Sequence, residues 1–555
     1  MTVAKSSFLF ATGTLLSRVT GLVRDAVFVG VLGATALHDA FLVAFRIPNL
    51  LREMFAEGAL GSSFTKVYST LWEQDRERAR RLLCDTLWLC TIISVIVCGT
   101  GMVLSPELVR LMTFMSKGRA EPEFIANTIA LTRLLFPYLG LTMLGAIVMG
   151  ALHQRGRFFT SAVAPIAFNL GNVAGAVWLA PLMAWWNPPW LAAYMPRPML
   201  VGLALGVLIG GLWQLIWQLA GVWGPVLKGL EFRPWRWPWT EDVKKVMTLM
   251  LPATLAASTG PVNVFVNTNF ATQLGAGAVT WLNYAFRLLQ LPIGVFGVAV
   301  GSAVLPRLAR ALARSPKGVM NEEASQEFQS GCELVLWLTA PCALFLMLEN
   351  EPVIRLLFQH GAFTAIDTTQ TARALYAYSF GMIGYGLIKV LTSFFYAVER
   401  TGYAMRVALI CMVVNYVSNS LLVERFGHTG LAMTSSVVLS ANAAILIAGI
   451  VPHKPKVKGA EMLRSIALVA GAAGLAALLQ TLCAPLLADL ESSAPGKIGA
   501  CLEMAVSGAG IAACFTMAGL WRLRKSPRQA LALVNERLRR GGRKATPPTS
   551  KPSSQ

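Results

Sequence analysis

The feature that most constrains this chain is charge placed inside apolar segments. Between Ser17 and Glu57, two long hydrophobic stretches carry Arg18, Arg24, Asp25, Asp39, Arg46, Arg52, Glu53 and Glu57. The whole chain has 555 residues, of which 55% are hydrophobic and 14% charged, and a mean hydropathy of +0.57. Soluble proteins carry about 25% charged residues, so the bilayer is the solvent to reason with. A charge at mid-bilayer costs about 2.5–3.5 kcal/mol. The charges near the N-terminus must therefore line a wet cavity, pair with one another, or meet a charged cargo.

A span needs about 20 apolar residues. Such segments fall near 6–33, 38–61, 83–105, 127–152, 158–184, 198–222, 243–273, 278–306, 328–349, 370–397, 402–424, 429–452, 461–487 and 497–521. This predicts an all-α polytopic membrane protein of about fourteen transmembrane helices. Lys and Arg gather in alternate connections, among them Arg76–Arg81, Arg155 and Arg157, Arg307–Lys317 and Lys454–Lys458, and in the tail after Arg522. By the positive-inside rule both termini are cytoplasmic. The same rule accounts for the formal charge of +20, so no nucleic-acid partner is expected. Arg18 interrupts the first apolar run, which favours an uncleaved helix over a signal peptide.

Nine cysteines lie scattered with no C-x-x-C pair, excluding a zinc ribbon or disulfide framework. Trp185, Trp186 and Trp190 at one boundary, and Trp235, Trp237 and Trp239 at the other, read as aromatic belts. Gly202, Gly206 and Gly210, with Gly171 and Gly175, repeat at four-residue spacing and predict close helix packing.

The chain also echoes itself about 240 residues on. Leu32-Gly33-Ala34, Ala44-Phe45-Arg46-Ile47 and Ala59-Leu60-Gly61-Ser62 recur as Leu274-Gly275-Ala276, Ala285-Phe286-Arg287-Leu288 and Ala299-Val300-Gly301-Ser302. Asn169 is loosely echoed by Asn415. Six spans per unit predict two lobes in a parallel pseudo-two-fold repeat around a cavity. The expected organisation is an N-lobe at 1–222, an amphipathic cytoplasmic linker at 223–242, a C-lobe at 243–452, two extra helices at 453–521 and a basic tail at 522–555.

Arg18, Arg24, Arg46, Arg52 and Arg287 all fall near mid-depth, while only Asp25 shares that depth among the acids. Asp39 lies near the outer mouth, and Glu53 and Glu57 toward the inner one. Gly21 and Pro48 are expected to interrupt their helices there, as happens where backbone lines a cavity. A purely structural role would pair Arg18 with Asp25, or Arg46 with Glu53. One central acid cannot neutralise five arginines, and the guanidinium fork suits phosphate oxygens. The implied cargo is anionic, a phosphate or diphosphate. Lys389 and Asn267 are secondary cavity candidates, and no metal site is expected.

Ser17-Arg18-Val19-x-Gly21-x-x-Arg24-Asp25, Asp39-Ala40-Phe41-x-x-Ala44-Phe45-Arg46-x-Pro48-Asn49-Leu50-x-Arg52 and Phe55-Ala56-Glu57-Gly58-Ala59 resemble the MurJ (MviN) lipid II flippases of the MOP exporter superfamily. Tyr284-Ala285-x-Arg287-Leu288 and Tyr376-Ala377-Tyr378-Ser379-x-Gly381 resemble the same family. The resemblance, over roughly residues 5–520, implies export of undecaprenyl-diphosphate-linked peptidoglycan precursor across the bacterial inner membrane by alternating access. It implies that Arg18, Arg24, Arg52 and Arg287 engage the head group, that Asp39 is needed for transport, and that the last two helices form a groove for the lipid tail. It implies no enzyme activity and no cofactor, with lipid II and membrane lipids as partners, cell-wall synthesis proteins as further candidates, and a monomer. The seventh-helix acid that binds sodium in some members is absent, with Asn267 nearest, so coupling to the membrane potential or to a monovalent cation stays open. The alternatives are a flippase for another polyprenyl-diphosphate-linked oligosaccharide and a MATE-like antiporter. A lipid phosphatase would need a His or acid cluster at the membrane edge, and the five histidines are dispersed.

Overall fold

The computed structural model describes residues 3–116, 121–189, 194–195, 197–222, 237–314, 320–453, 459–493 and 497–523. Most of the expected linker, including Trp235, and the basic tail beyond residue 523 lie outside them, as do Trp190 and the side chain of Glu57. The described residues are helical and contain no strand.

The first half comprises α1 (Val3–Leu32), α2 (Ala36–Leu51), α3 (Gly61–Gln74), α4 (Arg76–Val103), α5 (Ser105–Met112), α6 (Pro122–Gln154), α7 (Phe158–Ala174), α8 (Ala180–Trp186) and α9 (Met199–Val222). The second half comprises α10 (Glu241–Ala257), α11 (Thr259–Ala271), α12 (Ala278–Pro292), α13 (Val298–Ala313), α14 (Glu322–Leu348), α15 (Asn350–Phe358), α16 (Ala365–Ser379), α17 (Met382–Ala397) and α18 (Thr401–Ile450). Two further helices follow, α19 (Gly459–Ser493) and α20 (Lys497–Leu523). The face on which α1 begins is called proximal below, and the face where Gly33 turns the chain is called distal.

Eight helices are long and apolar enough to cross a membrane alone, or nine if the 45° bent pair α16–α17 is one span. The expected spans at 6–33, 38–61, 243–273 and 278–306 fall outside that set. They are the ones that carry the charges, or that are divided along their length. One of the eight is the run Thr401–His453, which reverses direction at Gly427. Its φ of +56° and ψ of −140° are open to glycine at little cost, so two expected spans join with almost no loop.

The repeat has a backbone signature. A π-helical turn begins at Arg52, six residues after Arg46, and another at Ile293, six residues after Arg287. The buried amides match as well. Asn169 on α7 ties to Thr20 on α1, and Asn415 lies in an amide chain that reaches Asn267 on α11. Gly21 does not interrupt its helix as expected, since α1 runs unbroken through it. Pro48 sits inside α2, and the irregularity comes four residues later.

Within the first half, α7 packs along α1 and α9, and α6 along α2, α4 and α9. In the second, α17 packs along α13, α14 and α18, and α12 along α16. The glycine faces meet as expected. A Cβ at Gly171 would fall on the Gly210 backbone, and one at Gly175 or Gly206 on the backbone of the other. Away from α10, the two halves touch toward the distal face, where α12 and α11 meet α2, and α15 meets α1. The seventh span is shared between them. Its first part, α10, lies against α3 and the π turn at 52–60, whereas α11 lies against α18.

Inserting bulk into the α7–α9 contact tests this packing. Gly206→Leu is expected to destabilise the protein by about 1–3 kcal/mol, read as a lower thermal unfolding midpoint in detergent. Gly99→Ala, inside α4 where an added Cβ meets nothing within 4 Å, should not lower that midpoint, alanine being the better helix former.

Candidate functional site

Asp25 is the hinge of the site. It is 4% exposed and accepts hydrogen bonds from Arg24 Nε and Nη2 (3.0 and 2.7 Å), its neighbour on α1. From α12 it accepts Arg287 Nη1 on both carboxylate oxygens (2.9 and 2.6 Å). Arg24 is also held by Asn169 Oδ1 at 3.1 Å and lies over the Phe168 ring. The Arg18–Asp25 pairing considered from sequence is not formed. Arg18 instead lays its guanidinium against Gly294, in the π turn that follows α12.

Arg46 likewise does not pair with Glu53. It donates to Asn283 Oδ1 on α12 at 3.1 Å, while Glu53 accepts from Asn49 Nδ2 at 2.7 Å and Arg52 Nε donates to Asn49 Oδ1 at 3.0 Å. Five guanidiniums along α1, α2, the start of the π turn and α12 outnumber the described carboxylates beside them, Asp25 and Glu53. An ion carried into low dielectric loses several kcal/mol of hydration unless a counter-charge replaces it. Such a surplus suits an arriving anion and disfavours an arriving cation.

Two spaces adjoin this cluster, with Asn283 on the wall of both. The larger, of about 290 Å³, is lined by Arg46, Glu53, Asn263, Asn267, Gln290 and Tyr385 among others, and by Gly260 and Pro261 at the α10–α11 break. The smaller recess, between Arg24, Asp25 and Arg287, holds only about 40 Å³. Lys389 places Nζ 5.3 Å from the Tyr385 ring centre, beside the larger cavity. Asn267 donates to Ser435 Oγ (3.2 Å) and accepts from Asn419 (2.8 Å).

Asp39 sits apart, at the distal end. Oδ2 accepts from the Gly277 N–H at 2.7 Å, and Oδ1 accepts from the Thr280 N–H (2.8 Å) and hydroxyl (2.6 Å). It thus caps the N-terminus of α12 from the other half of the protein, where a negative charge also meets the positive end of the helix dipole. Nearby, the Tyr284 hydroxyl lies 2.9 Å from His38 Nε2, and the Ala362 N–H donates to Gly30 O at 2.8 Å. Asn283, Asn169 and Gly294 were not singled out for this site from sequence. The only signal for Asn283 was its place one helical turn before Arg287.

A family model described as lipid II flippase MurJ matches residues 28–489. The chain is 34% identical over 447 residues to a lipid II flippase MurJ of Burkholderia cenocepacia, covering 79% of this chain and 81% of that one. It is 32% identical over 522 residues to a probable lipid II flippase MurJ of Rhizobium meliloti, covering 93% and 94%. Among solved structures, an inward closed conformation of MurJ aligns with a TM-score of 0.73 at 20% identity, over 93% of this chain and 100% of that one. An inward-facing MATE transporter of the MOP superfamily aligns with 0.64 at 15% identity, over 79% and 94%.

The Asp39 cap yields a direct test. Asp39→Ala leaves the Gly277 and Thr280 amides without their acceptor, a cost of about 1–3 kcal/mol. The distal contact should then open about fivefold or more. In a cysteine-free background, labelling of Val279→Cys, a residue 4% exposed, by a membrane-impermeant maleimide should rise by that factor.

Proposed function

This chain belongs to the lipid II flippase MurJ family, and from that premise we propose that it moves lipid II from the cytoplasmic to the periplasmic leaflet of the bacterial inner membrane by alternating access. The observation that carries the reading is the single carboxylate of Asp25 shared by Arg24 and Arg287 within a cationic cluster. Asp25 acts as an internal counter-ion that keeps the two arginines neutralised until cargo arrives. A diphosphate brings more charge and more acceptor oxygens than one carboxylate. It competes for both guanidiniums, with Arg18, Arg46 and Arg52 adding to the attraction. Because Arg24 and Arg287 stand on different halves, exchanging Asp25 for cargo changes the tie between them. A ligand shifts such an equilibrium only by its differential affinity.

The proximal face is cytoplasmic in this reading, with both termini there, and Asp39 closes the periplasmic side. The cargo's lipid tail has an apolar cleft of about 370 Å³ within reach, lined by Leu288, Leu291, Phe345, Leu346 and, on α20, Ile511 among others. Leu288 directly follows Arg287, so head and tail sites adjoin. Either the membrane potential or a monovalent cation can supply the energy, the latter because Asn263 Oδ1 and Asn419 Oδ1 near Asn267 are buried without a donor. One charge moved through 100 mV is worth about 2.3 kcal/mol. A MATE-like antiporter of cationic drugs would want surplus carboxylates in the cavity, the reverse of the balance found here. The chain acts as a carrier, monomeric and without catalytic chemistry.

In cells depleted of the native flippase, Arg24→Ala or Arg287→Ala should reduce lipid II in the outer leaflet by about tenfold or more, since each removes a charge-assisted bond of about 1.5–3 kcal/mol. Arg287→Lys, which keeps the charge but not the fork, should fall between. Undiminished outer-leaflet lipid II in both alanine variants would return these arginines to a structural role.

A further inference from the structure

A second cationic cluster lies on the proximal face of the first half, away from the cavity. Phe64, Tyr68 and Trp72 form an aromatic ladder along α3, with ring centres 5.1 and 5.7 Å apart. At its end the Trp72 indole receives two guanidiniums, Arg76 at 5.6 Å and Arg155 at 5.7 Å. Arg76 opens α4, and Arg155 caps the C-terminus of α6, so three helices converge on one ring.

Most neighbouring charges are engaged elsewhere, and Glu73, beside Trp72, forms no ion pair with either arginine. Asp75 caps α4 through the Glu77 and Arg78 amides. Glu77 pairs with Arg81, and Asp242 with Arg78. Arg157 donates to Gly221 O at 2.7 Å. Among the described residues, Arg76 and Arg155 have no carboxylate partner. Arg155 Nη1 and the hydroxyl of Tyr68, which is 0% exposed, are both buried without a hydrogen-bond partner. Burial first, then the nearby Arg157, Arg80 and Arg76, lower the basicity of Arg155 below that of an ordinary arginine.

Like charges held this close call for a counter-anion. A guanidinium over an aromatic face keeps its N–H edge available for a planar or tetrahedral oxyanion. The aromatic ladder descends from the apolar core of the first half to the level of the basic loops, which is where lipid headgroups lie. We propose that Arg76 and Arg155, gathered on Trp72, bind the phosphate of an anionic phospholipid headgroup in the proximal leaflet. The site is separate from the Asp25 cluster and does not depend on the identity of the cargo. A lipid phosphate seated there joins the start of α4 to the end of α6, and so steadies the proximal ends of the first half.

The test uses full-length protein in detergent, with short-chain phosphatidylglycerol as probe, short-chain phosphatidylcholine as reference, and native mass spectrometry as readout. Phosphatidylglycerol should bind in preference to phosphatidylcholine. The double variant Arg76→Ala/Arg155→Ala should weaken that binding by about tenfold or more. Arg307→Ala/Arg310→Ala, which removes two exposed charges from the proximal end of α13, should leave it intact. Arg155→Lys, which keeps the charge but not the guanidinium fork, should give an intermediate loss. Wild-type affinity in the double variant, or an equal loss in the Arg307/Arg310 variant, would overturn the site. Displacement of the lipid by equimolar inorganic phosphate would overturn its assignment to a headgroup.

Discussion

The arrangement rests on one carboxylate being asked to serve two guanidiniums. Asp25 reaches Arg24 on its own helix and Arg287 on α12, and that sharing leaves the centre electropositive while keeping it folded. Replacing it by a neutral side chain would set three or more cations against one another in a poorly solvated space. Supplying a second carboxylate would quench the attraction for an anion. The observed balance lies between these limits, cohesive enough to hold and still short of negative charge.

The contact between the halves is organised by one face of α12 and the turn before it. Gly277 and Thr280 donate to Asp39, Asn283 accepts from Arg46, Tyr284 meets His38, and Arg287 holds Asp25. These positions recur at helical spacing, so they form a single polar stripe. The order along the stripe runs from the distal cap inward to the charged centre. The charged centre and the distal cap are thus joined by about two and a half turns of one helix.

Much of this was legible in the sequence. The apolar segments, the arginines of the first two spans, the repeat partner Arg287 and the glycine faces of α7 and α9 follow from periodicity and the cost of charge in lipid, which depend little on tertiary detail. Pairing was not legible. Seven-residue spacing favoured Arg18 as the partner of Asp25, whereas Arg24 folds back onto it from the adjacent position and Arg287 arrives from 262 residues away. The break positions were also misjudged. Gly21 keeps its helix because the neighbouring turns and Asn169 support it, and the break in the seventh span lies at Ser258, just before Gly260 and Pro261 in the first turn of α11. The Asp39 cap was hidden for a different reason, since its partners are backbone amides that every sequence possesses.

The divided seventh span has a mechanical consequence. Its first part lies against the first half and its second part packs mainly along α18 while still meeting α2, and Arg78 holds Asp242 at the proximal end with a two-point bond. Only the short joint around Ser258 is left to absorb relative travel. The seventh span is therefore a leash between the halves: in the flipping proposed above, the give of its one joint limits how far they can part on the proximal side.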